Sequence, residues 1–173
     1  AVAAAYVGSK ACAQCHAAES KAWQASQHAV AMQHATARTV LGNFNDATYS
    51  FQGVQTRFFR RDDKFFIRTD GPDGQLADFE VKYTFGVAPL QQYLVAFPGG
   101  RLQAPTVAWD TEKKRWFALY PNDRHAPDDP LHSTGRYQNW NLMCSECHST
   151  DLRRNYDARA DTYDTKWAEV SVG

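Results

Sequence analysis

The chain has 173 residues, which suits a single domain with a buried core. Nineteen Lys and Arg balance nineteen Asp and Glu, so no net charge draws the chain to nucleic acid or to an anionic membrane. The 43% hydrophobic content excludes a disordered chain, and no segment offers the roughly 18 uninterrupted apolar residues of a membrane span.

The N-terminal region predicts a helix. From Ala13 to Ala35 the chain is rich in Ala and Gln and contains neither Gly nor Pro, which is typical of one continuous helix. Before it, Ala1 to Ala5 resemble the small residues around a signal-peptide cleavage site.

The middle of the chain predicts antiparallel strands. From Thr48 to Gly86 aromatic and polar residues alternate between turn-forming segments, which indicates a meander. Leu102 to Trp109 and Arg115 to Tyr120 predict a further hairpin, whereas Pro89 to Phe97 is ambiguous. After Pro121, residues up to Leu131 are rich in Pro, Asp and His and predict an ordered loop.

Two CxxCH motifs carry the chemistry of the chain. They are Cys12-Ala-Gln-Cys15-His16 and Cys144-Ser-Glu-Cys147-His148. This pentapeptide attaches haem c: the two cysteines form thioethers with the porphyrin, and the histidine is the proximal iron ligand. The sequence therefore predicts two covalently attached haem c groups. Since such cytochromes mature outside the bacterial cytoplasmic membrane, it also predicts a periplasmic protein.

Three other uses of these cysteines are a zinc site, a redox dithiol and structural disulfides. A four-cysteine zinc site usually has its two CxxC pairs about 15 to 20 residues apart, whereas these lie far apart in the chain. A thioredoxin-type dithiol requires a βαβ unit, which the pattern does not show. Disulfides between the pairs would leave the two histidines without a role.

The fold class that follows is α+β. An N-terminal helix carries the first haem motif, a central antiparallel meander follows, and the second haem motif lies near the C-terminus. We expect one dihaem domain over residues 1–173.

The CxxCH motifs name the proximal iron ligands, whereas several residues are candidates for the sixth ligands. On a continuous helix, His28 would lie twelve residues beyond His16, about 18 Å along the axis, and could not bind the same iron. It then serves the other haem, a haem outside the chain, or no iron at all. His132 precedes His148 by sixteen residues on a loop and is the second candidate ligand.

Four other residues are of a type that can be a sixth ligand. His125 and His34 are alternative ligands, Met32 fits core packing better, and Met143 lies too close to Cys144 to reach round a porphyrin.

The motifs and their surroundings resemble a known family. The resembling segments are Tyr6 to Cys12, Ser26 to Met32, Tyr83 to Leu94 and Gly135 to Cys144. They are similar to multihaem c-type cytochromes that often carry tetratricopeptide repeats downstream. The region around His28 also resembles the start of the tetrahaem cytochromes of the hydroxylamine oxidation pathway.

This resemblance spans essentially the whole chain. It implies that His28 binds a haem other than its neighbour. Relatives usually continue from a segment similar to Glu169–Gly173 into a further CxxCH. We therefore expect either a short dihaem form or a fragment of a longer multihaem protein.

Electron relay between redox partner proteins is the function that these features predict. The alternative is a haem enzyme or gas sensor in which one five-coordinate haem acts on a small nitrogen or oxygen species. A relay needs no vacant iron face, whereas the alternative does. The sequence also leaves open a homo-oligomer or an additional haem domain as partner.

Overall fold

Antiparallel strands make up most of the structure, a computed structural model that describes residues 5–172. The small residues of the expected cleavage site, 1–4, lie outside this range. Within it, nine strands form one sheet with the order β2-β3-β4-β5-β6-β8-β9, in which β1 also pairs with β5 and β7 with β6. The strands are β1 Met32–His34, β2 Ala47–Phe51, β3 Val54–Arg61, β4 Lys64–Asp70, β5 Leu76–Phe85, β6 Leu90–Phe97, β7 Arg101–Gln103, β8 Val107–Asp110 and β9 Arg115–Ala118.

The helices of the described residues are short. They are α1 Ser9–Cys12, α2 Ala17–Gln24, α3 Trp140–Met143 and α4 Ser145–His148, with 3-10 turns at His28–Val30, Pro98–Gly100 and Arg136–Gln138. A small hairpin of β10 Tyr156–Asp157 and β11 Thr162–Tyr163 follows α4. None of the helices within 5–172 has the length and apolar character of a membrane span.

The predicted meander between Thr48 and Gly86 is present as β2 to β5. Its tight turns use backbone with positive φ, at Gln52 (48°), Gly53 (85°) and Asp62 (55°), which Gly and Asp tolerate better than branched residues. At the ends of the sheet, the Ala118 N–H donates to the hydroxyl of Tyr49 over 3.1 Å. The outer strands β2 and β9 therefore approach each other, and the sheet is nearly closed.

The later strands refine the prediction. The predicted hairpin is present as β8 and β9, with Trp109 opposite Trp116. The predicted strand Leu102 to Trp109 is divided, since β7 pairs with β6 and Pro105, which has no N–H to donate, lies between β7 and β8. The ambiguous segment becomes β6.

The continuous helix predicted from Ala13 to Ala35 is wrong. Helix α2 ends at Gln24, and the Ser26 hydroxyl and N–H then both bond to the Trp23 carbonyl, over 2.7 and 2.9 Å. Residues Met32–His34 instead pair with β5, and this long-range pairing overrides local helix propensity. The chain is therefore mostly β, and the helical rise no longer separates His28 from His16.

Two aromatic-rich cores hold the sheet. The first centres on Phe58 and Trp116, whose rings stack with centroids 3.5 Å apart, and on Phe44, which packs edge-on against both. Each such aromatic pair adds about 0.5–1.5 kcal/mol beyond area burial. The second core is smaller and lies against the second CxxCH motif. Its buried members are Met32, Phe85, Leu94, Leu102, Ala104 and Trp140.

Candidate functional site

The first CxxCH motif forms one tight turn between α1 and α2. The N–H groups of Cys15 and His16 both donate to the Cys12 carbonyl, over 3.2 and 3.0 Å. The His16 carbonyl in turn accepts from Ser20 and begins α2. Cys12, Cys15 and His16 are all exposed, so the two thiols and the imidazole are accessible together on this turn.

The second CxxCH motif begins at the junction between α3 and α4, occupies α4 and is more buried. Cys144 joins the two helices and packs against the second core, while Cys147 is exposed. The hydroxyls of Ser145 and Ser149 donate to carbonyls four residues earlier, over 2.8 and 2.6 Å, and brace this turn. The two thiols and the imidazole therefore lie at the protein surface in the first motif and at the edge of the second core in the second motif.

Burial controls the protonation of the second motif. It raises the pKa of the Cys144 thiol, and the neighbouring Cys147 raises it further. Burial lowers the pKa of His148, an effect that the Ala31 carbonyl partly opposes. The His148 ring meets Phe85 edge-on, with centroids 5.5 Å apart. The structure therefore favours a neutral imidazole, the form in which histidine binds iron.

These residues fit covalent haem better than the alternative uses of the cysteines. All four cysteines are free. Within residues 5–172 no three Cys, His, Asp or Glu side chains form a group that could hold a bare metal ion, so the two CxxC pairs do not combine into a zinc site. Two buried nitrogens beside the second motif, His148 Nδ1 and Trp140 Nε1, lack a hydrogen-bond partner in this described part. Among the described residues, Thr84 Oγ1 and Trp109 Nε1 are unpaired as well, but His148 is itself a motif residue, and its unpaired Nδ1 fits a site that another group completes.

Residues 166–172, which we call the tail segment, contact residues that flank both motifs. The Glu169 carboxylate accepts from the N–H and the hydroxyl of Ser9 in α1, over 2.9 and 2.7 Å. The Glu169 carbonyl accepts from the N–H of Thr150, two residues after His148, over 3.1 Å. The indole of Trp23 donates to the Val172 carbonyl over 2.7 Å. The sequence carries no local signal for these contacts, because the partners are far apart in the chain.

Aromatic contacts join the tail segment to the second core. Trp167 packs edge-on against Trp140 and Tyr83, with ring centroids 5.6 Å apart in each pair. The exposed His34 ring lies 4.9 Å from Tyr83. The tail segment is therefore anchored to the second core as well as to α1.

His28 lies between helix α2 and strand β1. It is exposed and begins the 3-10 turn that follows α2. Ala31, three residues later, accepts from the Gly86 N–H over 2.9 Å and lies beside His148. The structure thus brings the His28 segment near the second motif. Its assignment as an iron ligand stays a prediction.

His132 is engaged elsewhere in the fold. Its side chain is 7% exposed, and its two ring nitrogens hydrogen-bond with Asp70 Oδ2 and Thr134 Oγ1, each over 2.9 Å. Nearby, His125 Nδ1 lies 3.0 Å from Asp129 Oδ2, and both histidines line a cleft of about 510 Å³. In this arrangement His132 could bind iron only after leaving Asp70.

The two methionines differ in burial. Met32 is 1% exposed within the second core, which confirms a packing role, and Met143 is 52% exposed. The sequence did not single out Phe85 or Trp140 as neighbours of the second motif, although both lie within the segments that carry the family resemblance.

Comparison with known proteins supports a c-type cytochrome. Residues 11–50, which include the first CxxCH motif and His28, match the family model described as cytochrome c554 and c-prime. No curated protein matches the chain. The wider resemblance to hydroxylamine-pathway tetrahaem cytochromes stays a prediction.

A solved structure shares the fold. It is the outer cell wall cytochrome OcwA, at a TM-score of 0.56 and 17% sequence identity. The match covers 96% of this chain but 30% of that one, so this chain spans less than a third of its length. At this identity the likeness concerns the fold.

Proposed function

We propose that the chain is a dihaem c-type cytochrome that relays electrons between redox partner proteins in the periplasm. One observation carries this proposal: two complete CxxCH motifs lie on tight turns with free thiols, and one tail segment contacts both motif regions. The family match over the first motif is consistent with it.

The six motif residues have defined roles in this proposal. Each cysteine pair, Cys12 with Cys15 and Cys144 with Cys147, forms the two thioethers to one haem. His16 and His148 are the proximal iron ligands, and burial keeps the His148 imidazole neutral. When bound, each haem supplies one-electron redox chemistry at its iron.

The surroundings distinguish the two sites. The first motif is exposed, whereas Cys144 and His148 lie partly buried against the second core, with Phe85 on the imidazole. Burial limits water near an iron and so disfavours the more highly charged oxidised state. We therefore expect the two haems to differ in reduction potential, with the second one higher where the axial ligands are alike.

His28 is the proposed sixth ligand for a haem other than the one on His16. Its exposed position on the connection between the motifs leaves the imidazole accessible to a haem of this chain or of a further haem domain. His132 is the second proposed ligand, with the condition that its bond to Asp70 be given up.

That condition favours one alternative function. If His132 stays with Asp70, one iron keeps a vacant face, and the protein could bind a small nitrogen or oxygen species as an enzyme or gas sensor. His125, whose Nδ1 is bound by Asp129, could then act as an acid or base.

One experiment separates these functions. The purified protein is reduced with dithionite, its haem content per chain is determined as the pyridine haemochrome, and carbon monoxide is added. Two haems per chain with low-spin bands unchanged by carbon monoxide are expected for a relay. A shift of part of the Soret band would favour the five-coordinate alternative, and absence of haem would overturn both.

A further inference from the structure

Few long-range hydrogen bonds attach the region of the first CxxCH motif to the rest of the described chain. Within the described part of the chain, residues 5–27 form long-range hydrogen bonds with Glu169 and Val172 alone. Helix α1 has four residues, and Gly8 at its N-cap supplies no side-chain hydrogen bond. The carboxylate of Glu169 provides that cap instead, by accepting from the Ser9 N–H.

The backbone of Glu169 also contacts the segment that follows the second motif. Its carbonyl accepts from the Thr150 N–H, while the Ala168 N–H donates to the Thr150 carbonyl over 2.9 Å. The Thr150 hydroxyl donates to the Ser171 carbonyl over 2.8 Å. This ladder begins two residues after His148, so one residue of the tail segment connects the two motifs.

We propose that Glu169 is a positioning residue that fixes the first haem-binding motif relative to the second. This inference rests on the proposed function. The Glu169 carboxylate binds Ser9 and the Glu169 carbonyl binds Thr150, so no motif residue takes part in either contact. Electron relay between two bound haems requires a fixed separation, and supporting hydrogen bonds of this kind keep functional groups in place.

The carboxylate suits this role because both of its oxygens are used. Oε1 accepts from the Ser9 N–H and Oε2 from the Ser9 hydroxyl. A glutamine has nearly the same shape, but its amide group offers one acceptor oxygen and turns a donor toward Ser9. Because the Ser9 hydroxyl can also accept, Glu169→Gln replaces the charge-assisted pair of bonds by weaker neutral ones, while it leaves the backbone ladder to Thr150 in place.

The test compares the holoprotein with Glu169→Gln, Ser9→Ala and the control Glu112→Gln, which changes an exposed glutamate in the β8–β9 turn. Amide hydrogen exchange of α1 is measured first. Loss of the charge on these hydrogen bonds should accelerate exchange of these amides about tenfold in Glu169→Gln, with a smaller effect in Ser9→Ala, which loses only the hydroxyl contact. The control should match the wild type.

The second readout is the distance between the two oxidised irons, measured by pulsed electron paramagnetic resonance. We expect a single narrow distribution in the wild type and the control, and a broadened one in Glu169→Gln, with two haems per chain in all of them. An equally narrow distribution and unchanged exchange in Glu169→Gln would overturn the inference. A wild-type protein without haem would instead overturn the proposed function, and α1 exchange would still report on Glu169.

Discussion

Replacing His132 with alanine tests whether this side chain holds a loop or binds an iron. The imidazole is 7% exposed and the Asp70 side chain 18% exposed. One ring nitrogen hydrogen-bonds with the Asp70 carboxylate and the other with the Thr134 hydroxyl. These bonds join the loop that ends in His132 to the end of strand β4.

The expected loss follows from those two contacts. A hydrogen bond to a charged group contributes about 1.5–3 kcal/mol and a neutral one about 1 kcal/mol. Removing His132 also leaves the partly buried Asp70 without its partner, so the free energy of unfolding should fall by about 3–4 kcal/mol. For a chain of this size, that lowers Tm by about 6–16 °C.

The assay follows thermal unfolding by circular dichroism and records the visible spectrum of the same holoprotein. We expect His132→Ala to lose stability. Unchanged haem bands in the variant would show that the wild type keeps the bond to Asp70 and that His132 is not the sixth ligand. Asp70→Asn is the matched control, because it disturbs the same pair and leaves the imidazole available. Conversion of one haem to a high-spin, carbon monoxide-binding form in His132→Ala alone, with stability lowered by less than about 1 kcal/mol, would refute this reasoning.

Three further predictions follow from the two motifs and their supports. Cys15→Ser and Cys147→Ser should each remove one thioether, at different haems, so denatured samples should show a haemochrome band shifted for one haem of the two. Trp140→Ala should lower the free energy of unfolding by about 3–5 kcal/mol, measured by denaturant titration, because the indole is fully buried. Trp140→Phe should lower it less, because a ring still fills the core and the unpaired Nε1 is gone. The Ser9 N–H lowers the pKa of Glu169, so this contact stabilises the fold above the usual pKa of 4.5. The stabilisation is lost as the pH falls through the lowered pKa of Glu169 in the folded protein. Exchange of the α1 amides in the wild type should then rise and approach that of Glu169→Gln.

The parts of the molecule that sequence predicts well depend on neighbouring residues. The CxxCH spacing acts within one turn, and the structure presents its cysteines and histidine on tight turns as that spacing requires. The alternation of Phe79, Val81, Tyr83 and Phe85 likewise predicts β5, because side chains alternate between the faces of a strand.

The missed parts depend on partners that are distant in sequence. Met32–His34 is locally helical in composition and becomes a strand because β5 offers a free edge. The contact of Glu169 with Ser9 spans most of the chain, and no spacing rule relates the two residues. The engagement of His132 by Asp70 is similar, since it joins a loop to a strand end that the sequence could not place beside it.

The bond between Tyr49 and Ala118 has a consequence for solubility. An open antiparallel sheet exposes N–H and C=O groups at its outer strands, and these groups template edge-to-edge aggregation with other chains. The Tyr49 hydroxyl occupies the Ala118 N–H on β9 and draws β2 toward it. The approach of the two outer strands leaves less room for a foreign strand to add between them, which would help such a sheet stay dispersed at high concentration.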